Sequence, residues 1–153
     1  MPNTYSQLYA QLIFAVKGRN NFIQEEWSSE LYKYMSGIVK GKSQKLYSVN
    51  GASDHIHLLV SYKPGISLSD LVRDVKSNSS GFINRKRFVN KKFRWQSGFG
   101  AFSYGKSQVL DVIRYIENQR EHHKHRTFRE EYIQFLKNFD VDFESDYLFE
   151  FYD

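Results

Sequence analysis

The chain predicts one α+β domain built on an antiparallel sheet. Stretches whose apolar residues alternate are interleaved with stretches whose apolar residues recur every three or four positions. The junctions carry turn and capping signals, and no repeat or low-complexity segment interrupts them. At 153 residues, 41% hydrophobic and 17% aromatic, the chain is long enough for its own core and composed like a folded protein.

Leu8, Leu12, Phe14 and Val16 share one face of a first strand over about residues 7–16. Trp27, Leu31, Tyr34, Met35 and Ile38 then recur at helical spacing, with Gly41 as a stop. A second strand at about 44–49 meets Asn50-Gly51, a turn signal, and a third runs from about 55 to 62 until Pro64-Gly65 breaks it. Ser67-x-x-Asp70 reads as a capping box opening a helix with Leu68, Leu71, Val72, Val75 and Phe82 on its apolar side. Residues 93–104 read as a fourth strand, with Gly98 and Gly100 allowing a bend or close backbone approach. Helices at about 107–124 and 128–137 follow. This βαββαβ order matches the ferredoxin-like split motif: an antiparallel sheet with helices on one face and additional C-terminal helices. The other face is left for a ligand or partner.

Composition narrows the function classes. The absence of cysteine excludes a disulfide framework and any thiolate metal site. Met1-Pro2-Asn3-Thr4-Tyr5-Ser6 lacks the basic-then-apolar pattern of a leader, and no apolar run approaches membrane-spanning length. The expectation is a cytoplasmic protein with no membrane partner. Residues 138–153 hold six acids and no Lys or Arg, which leaves 22 basic and 11 acidic residues in positions 1–137, a body of +11. The division is therefore a domain over 1–137 and an acidic, aromatic C-terminal tail over 138–153. A basic body suits a polyanionic partner.

In the third strand Ile56, Leu58 and Val60 alternate onto the core face, and His55, His57, Leu59 and Ser61 onto the other. Neutral imidazoles are good ligands for divalent ions, and one strand can hold two side by side. In the 107–124 helix the apolar stripe is Val109, Val112, Ile113 and Ile116. At about 100° per residue, Tyr115 and Gln119 sit on its flank roughly 40° apart. Two imidazoles, an amide oxygen and a phenol together make a divalent-metal site with a tyrosine beside it. Tyrosine is a poor nucleophile at neutral pH, and a metal that polarises a phosphate offsets that weakness. Cleavage of a nucleic-acid phosphodiester through a covalent phosphotyrosine is the chemistry this set suggests.

His55-Ile56-His57 with Tyr115 and Gln119 resembles the HUH nucleases, and more narrowly the single-tyrosine, single-strand DNA transposases of small bacterial insertion sequences. Asp54-His55-Ile56-His57-Leu58-Leu59-Val60, Trp95 to Ser103 and Tyr115-Ile116-Glu117-Asn118-Gln119 carry the likeness, which covers about residues 5–135. The resemblance implies that 1–137 is a catalytic domain in which Tyr115 forms a 5′-phosphotyrosine and frees a 3′-hydroxyl, and that a joining step reverses this. It implies Mg²⁺ or Mn²⁺ bound by His55, His57 and Gln119. It further implies single-stranded DNA with hairpin or palindromic ends as substrate, and a homodimer in which the tyrosine helix serves either its own or its partner's histidines. A domesticated relative that processes repeated palindromes fits the same residues.

Arg73, Lys76, Arg85, Lys86, Arg87, Lys91, Lys92 and Arg94, interleaved with Ser77, Asn78, Ser79 and Ser80, read as a DNA-backbone contact surface. Trp95 and Phe99 are candidates for base stacking or for the core. His122, His123 and His125 read as cations complementing a helix C-terminus, with zinc binding by His122 and His125 as the alternative. His122 also falls on the Tyr115/Gln119 flank. Two other functions compete with a transposase: a non-catalytic, ferredoxin-like nucleic-acid-binding module, and a metal-dependent hydrolase of small phosphoesters that uses activated water.

Overall fold

The computed structural model describes residues 3–152. Met1, Pro2 and Asp153, which belong to the stretch read for a leader and to the ends of the predicted divisions, lie outside the described residues. The elements run β1 (Tyr9–Ala15), α1 (Glu25–Gly41), β2 (Lys45–Gly51), β3 (His55–Ser61), α2 (Leu68–Lys86), β4 (Gly100–Tyr104), α3 (Val109–Glu117), α4 (Gln119–His122) and α5 (Phe128–Asn138). The four strands form one antiparallel sheet in the order β2-β3-β1-β4. The predicted fold class is the observed one.

Alternation along β1 and β3 sorts the molecule into two layers. Leu12, Phe14, Ile56, Leu58 and Val60 pack with Trp27, Leu31, Met35 and Val39 of α1 and with Leu71, Val72, Val75 and Ile83 of α2. On the opposite face α3 closes over Tyr9 and Leu59 through Val109, Val112 and Ile116. Helix α5 closes over Phe102 through Tyr132 and Phe135. The face left for a ligand is thus roofed by the C-terminal helices, and the site lies between sheet and roof. No helix among the described residues is long and apolar enough to cross a membrane.

Three local departures from expectation have physical causes. Asn50 and Gly51 do not form the turn; they end β2, opposite His57 and Ile56, and residues 52–54 make the connection. Gly51 is needed for close approach instead, because a Cβ there would sit 2.1 Å from the His55 carbonyl oxygen. The fourth strand is confined to Gly100–Tyr104. Residues 93–99 leave the ladder, their backbone keeping a single Val16–Trp95 bridge, and Gly98 takes a φ of 84°. Phe93 and Trp95 turn inward instead, and Trp95 meets Phe14 and Phe93 edge-on at 4.8 Å. Finally, the 107–124 helix breaks at Asn118. The side-chain amide of Asn50 donates to the carbonyls of Ile116 and Glu117, each at 3.0 Å. A continuous helix would give those carbonyls to the amides of residues 120 and 121.

Beyond α5 the acidic segment runs back over the body. Phe149 is buried against Phe128 and Tyr132. The Gln96 side chain pairs with the Glu150 backbone, donating to its carbonyl at 2.8 Å and accepting from its amide at 2.7 Å. The Tyr152 hydroxyl accepts from the Gly18 amide at 2.7 Å.

Candidate active site

His55 and His57 leave β3 on the same side, as the period of two requires, and both are fully buried. Each has one ring nitrogen engaged by a fixed acceptor. His55 Nδ1 lies 2.7 Å from Asp54 Oδ1, and His57 Nδ1 lies 2.6 Å from Gln11 Oε1. Those acceptors hold the protons on Nδ1, so both Nε2 atoms aim into the space between sheet and roof.

The groups waiting there are oxygens. Gln119 Oε1 lies 3.1 Å from His55 Nε2. Glu131 Oε1 lies 3.2 Å from His57 Nε2 and 3.4 Å from His55 Nε2. Ligand atoms of His55, His57 and Glu131 all fall within 4.8 Å of one another. Imidazole lone pairs facing amide and carboxylate oxygens need positive charge between them, either protons or a divalent cation. The donor set, two nitrogens and two hard oxygens, fits a divalent metal.

The electrostatics follow from this crowding. Burial disfavours the His55 imidazolium, but hydrogen bonds to Asp54 and Glu131 outweigh it and push its pKa up to about 9. At His57 burial prevails over the attraction of Glu131, and the pKa falls below the usual imidazole value. Glu131 is opposed by burial, yet His57, His123 and His55 hold its carboxyl well below the usual carboxylate range. Asp54 is lowered in the same way, His55 overcoming its burial.

Tyr115 stands at the edge of this cluster. Its phenol donates a short hydrogen bond to Glu131 Oε2, and Gln119 Nε2 donates to the same oxygen at 3.2 Å. Arg126 Nη2 donates to Tyr115 Oη at 2.9 Å. The ring stacks on His122 at 4.5 Å, and its centroid lies 6.0 Å from that of His57. Burial and the Glu131 charge raise its pKa above the ordinary phenol value, against a lowering by Arg126. Tyr115 is only partly buried and opens onto a cavity of about 540 Å³ that Asp111, Arg126, Glu131 and Phe135 also line. All of this is assembled within one chain.

The four site residues expected from the sequence, His55, His57, Tyr115 and Gln119, therefore come together. Glu131, Arg126, Gln11 and Asp54 were not anticipated, and neither was His123, whose Nε2 lies 3.1 Å from Glu131 Oε1. Glu131 did leave a trace. It falls three residues after Phe128 and four before Phe135, a carboxylate on the apolar stripe of α5. The zinc alternative for His122 and His125 is not assembled: His122 stacks on Tyr115, and His125 is exposed.

Of the eight basic residues, Arg73, Lys76, Lys92 and Arg94 line one groove of about 600 Å³ beside α2, together with Trp95 and Phe99. Lys76 is partly immobilised, donating to the carbonyls of Gln96 at 2.6 Å and Gly98 at 2.9 Å. Arg85, Lys86 and Arg87 cluster at the C-terminal end of α2, with Arg87 in the left-handed capping conformation at φ 55°. Lys91 is exposed between the two groups. Trp95 serves the core, its Nε1 tied to Ser79 Oγ at 3.0 Å.

The family model of IS200-like transposases matches residues 4–119. No curated protein matches the sequence. Among solved structures, a candidate transposase from Deinococcus radiodurans R1 is 20% identical with a TM-score of 0.62, covering 76% of this chain and 94% of that one. A REP-associated tyrosine transposase bound to a REP hairpin is 13% identical with a TM-score of 0.60, covering 79% of this chain and 72% of that one. These likenesses show a shared fold.

Proposed function

This chain belongs to the IS200-like transposase family, and we propose that it cleaves and rejoins single-stranded DNA with Tyr115 as the nucleophile. In this reading His55, His57 and Gln119 hold Mg²⁺ or Mn²⁺, with Glu131 as a fourth ligand. The observation that carries it is the convergence of both Nε2 atoms, Gln119 Oε1 and Glu131 Oε1 beside the Tyr115 phenol. Bound there, the cation supplies the Lewis acidity that polarises a scissile phosphate.

The chain's own residues do the rest. Asp54 and Gln11 fix the tautomers that keep both Nε2 lone pairs available. Glu131 and Arg126 hold the phenol at the mouth of the cavity, where a DNA phosphate reaches it. Attack of the phenol oxygen gives a 5′-phosphotyrosine and a free 3′-hydroxyl, and a second 3′-hydroxyl reverses the step. The protein in this reading is a homodimer, and the contact of Tyr115 with the histidines of its own chain favours a site that each subunit completes for itself. Hairpin-ended DNA is the substrate class we favour, since one structural relative is bound to a REP hairpin. Arg73, Lys76, Lys92 and Arg94, with Arg85, Lys86, Arg87 and Lys91, supply phosphate contacts. This reading places the protein in the cytoplasm with its DNA.

The test is a denaturing gel of the protein with labelled single-stranded DNA from the flanks of its gene, with and without Mg²⁺. A metal-dependent protein–DNA adduct is expected, absent in Tyr115→Phe while DNA affinity stays within about threefold. Full cleavage by Tyr115→Phe would refute the mechanism.

A further inference from the structure

We propose that Arg126 is a catalytic residue of strand cleavage, its guanidinium stabilising the charge that develops on the Tyr115 oxygen and on the attacked phosphate. This rests on Tyr115 being the nucleophile. Arg126 lies in the connection between α4 and α5, seven residues beyond the segment that the family model matches.

The phenol oxygen has two charged partners with opposite behaviour. Its bond to Glu131 exists only while the phenol keeps its proton, because a phenolate would face a carboxylate. Its bond from Arg126, at 2.9 Å, survives loss of the proton and becomes charge-assisted. An interaction that strengthens as the oxygen gains charge lowers the barrier, whereas one of constant strength does not. Glu131, His57 and His122 face the phenol from α5, β3 and α4, and none of them offers a cation fixed at every pH as a guanidinium does.

Arg126 is also the only Lys or Arg among the described residues lining the cavity onto which Tyr115 opens; the acids there are Asp111 and Glu131. A phosphate arriving at the phenol therefore meets this side chain. With one N–H on the phenol, the planar fork keeps others for phosphate oxygens. In the step itself the Oη–H and P–O3′ bonds break while the Oη–P and O3′–H bonds form. The proton passes from phenol to leaving oxygen through cavity water, and Arg126 neither gains nor loses one.

The experiment measures the single-turnover rate of adduct formation at saturating single-stranded DNA, and DNA affinity separately. Wild type, Arg126→Ala, Arg126→Lys and Tyr115→Phe are compared. Arg126→Ala is expected to lose about 100-fold or more in rate, as when one oxyanion donor is removed, with affinity within about threefold. Arg126→Lys retains part of the rate. Free guanidinium ion restores adduct formation in Arg126→Ala and does nothing for Tyr115→Phe. A saturated rate within about twofold of wild type overturns the inference, and so does a rate loss that guanidinium leaves untouched in a normally folded Arg126→Ala. An absent adduct in wild type overturns both this inference and the tyrosine mechanism, whereas a normal adduct indifferent to Arg126 overturns this inference alone.

Discussion

Ile56, Leu58 and Val60 leave β3 toward α1 and α2, while His55 and His57 leave it toward α3–α5, and all five are shut off from solvent. On the first side each residue gains by leaving water, an effect without direction that scales with area. On the second side nothing is gained unless every polar atom finds its match. An ion carried alone into such a place is destabilised by several kcal/mol. Glu131 is accordingly ringed by His55, His57, His123, Gln119 and Tyr115. The apolar face is a sum of parts, and the polar face behaves as a unit.

Single substitutions separate the two faces. Leu58→Ala should cost about 3 kcal/mol of unfolding free energy in a urea titration, through lost burial and the void left behind. The polar face should respond to ligand instead. Mn²⁺ at a hundred times its Kd should add about 2.7 kcal/mol, which raises the melting temperature by roughly 5–10 °C in a domain of this size. A chelator should reverse the rise. Leu58→Ala should melt lower yet keep the rise, and His57→Ala should lose it; a rise retained in His57→Ala would mean that the cation binds elsewhere. The smallest effect concerns the roof. Thr127 accepts from the Glu130 amide at 3.1 Å and Glu130 answers with the reciprocal contact, closing a capping box at the start of α5. Thr127→Ala should cost about 1 kcal/mol in the same melts. No measurable change would mean that packing alone holds α5.

The difference between the faces also explains what the sequence made legible. Period-two alternation put Ile56, Leu58 and Val60 on one side of β3 and the histidines on the other, and helical spacing joined Tyr115 to Gln119. Both rules are local; the alternation held along β3, whereas Tyr115 and Gln119 still meet at Glu131 Oε2 although the helix breaks between them. The helix break at Asn118 was not legible, because its cause is Asn50, 66 positions before Ile116, which captures two carbonyls of α3. Glu131 was hidden for a related reason. Its carboxylate is tolerable on an apolar stripe only because β3 supplies two imidazoles opposite it, a match that periodicity within α5 cannot reveal. The strand at 93–104 stops short at residue 100 because burying Phe93 and packing Trp95 edge-on against it outweigh continued pairing.

Gly51 has a bearing on redesign that its small size conceals. Any side chain there would run into the carbonyl of His55. Relief would require the two strands to separate where β3 begins, and the first histidine would move with the backbone. A saturation library at position 51 should therefore return glycine almost alone, even though this residue has no side chain to offer the site. The position of His55 is secured by an atom that is not there.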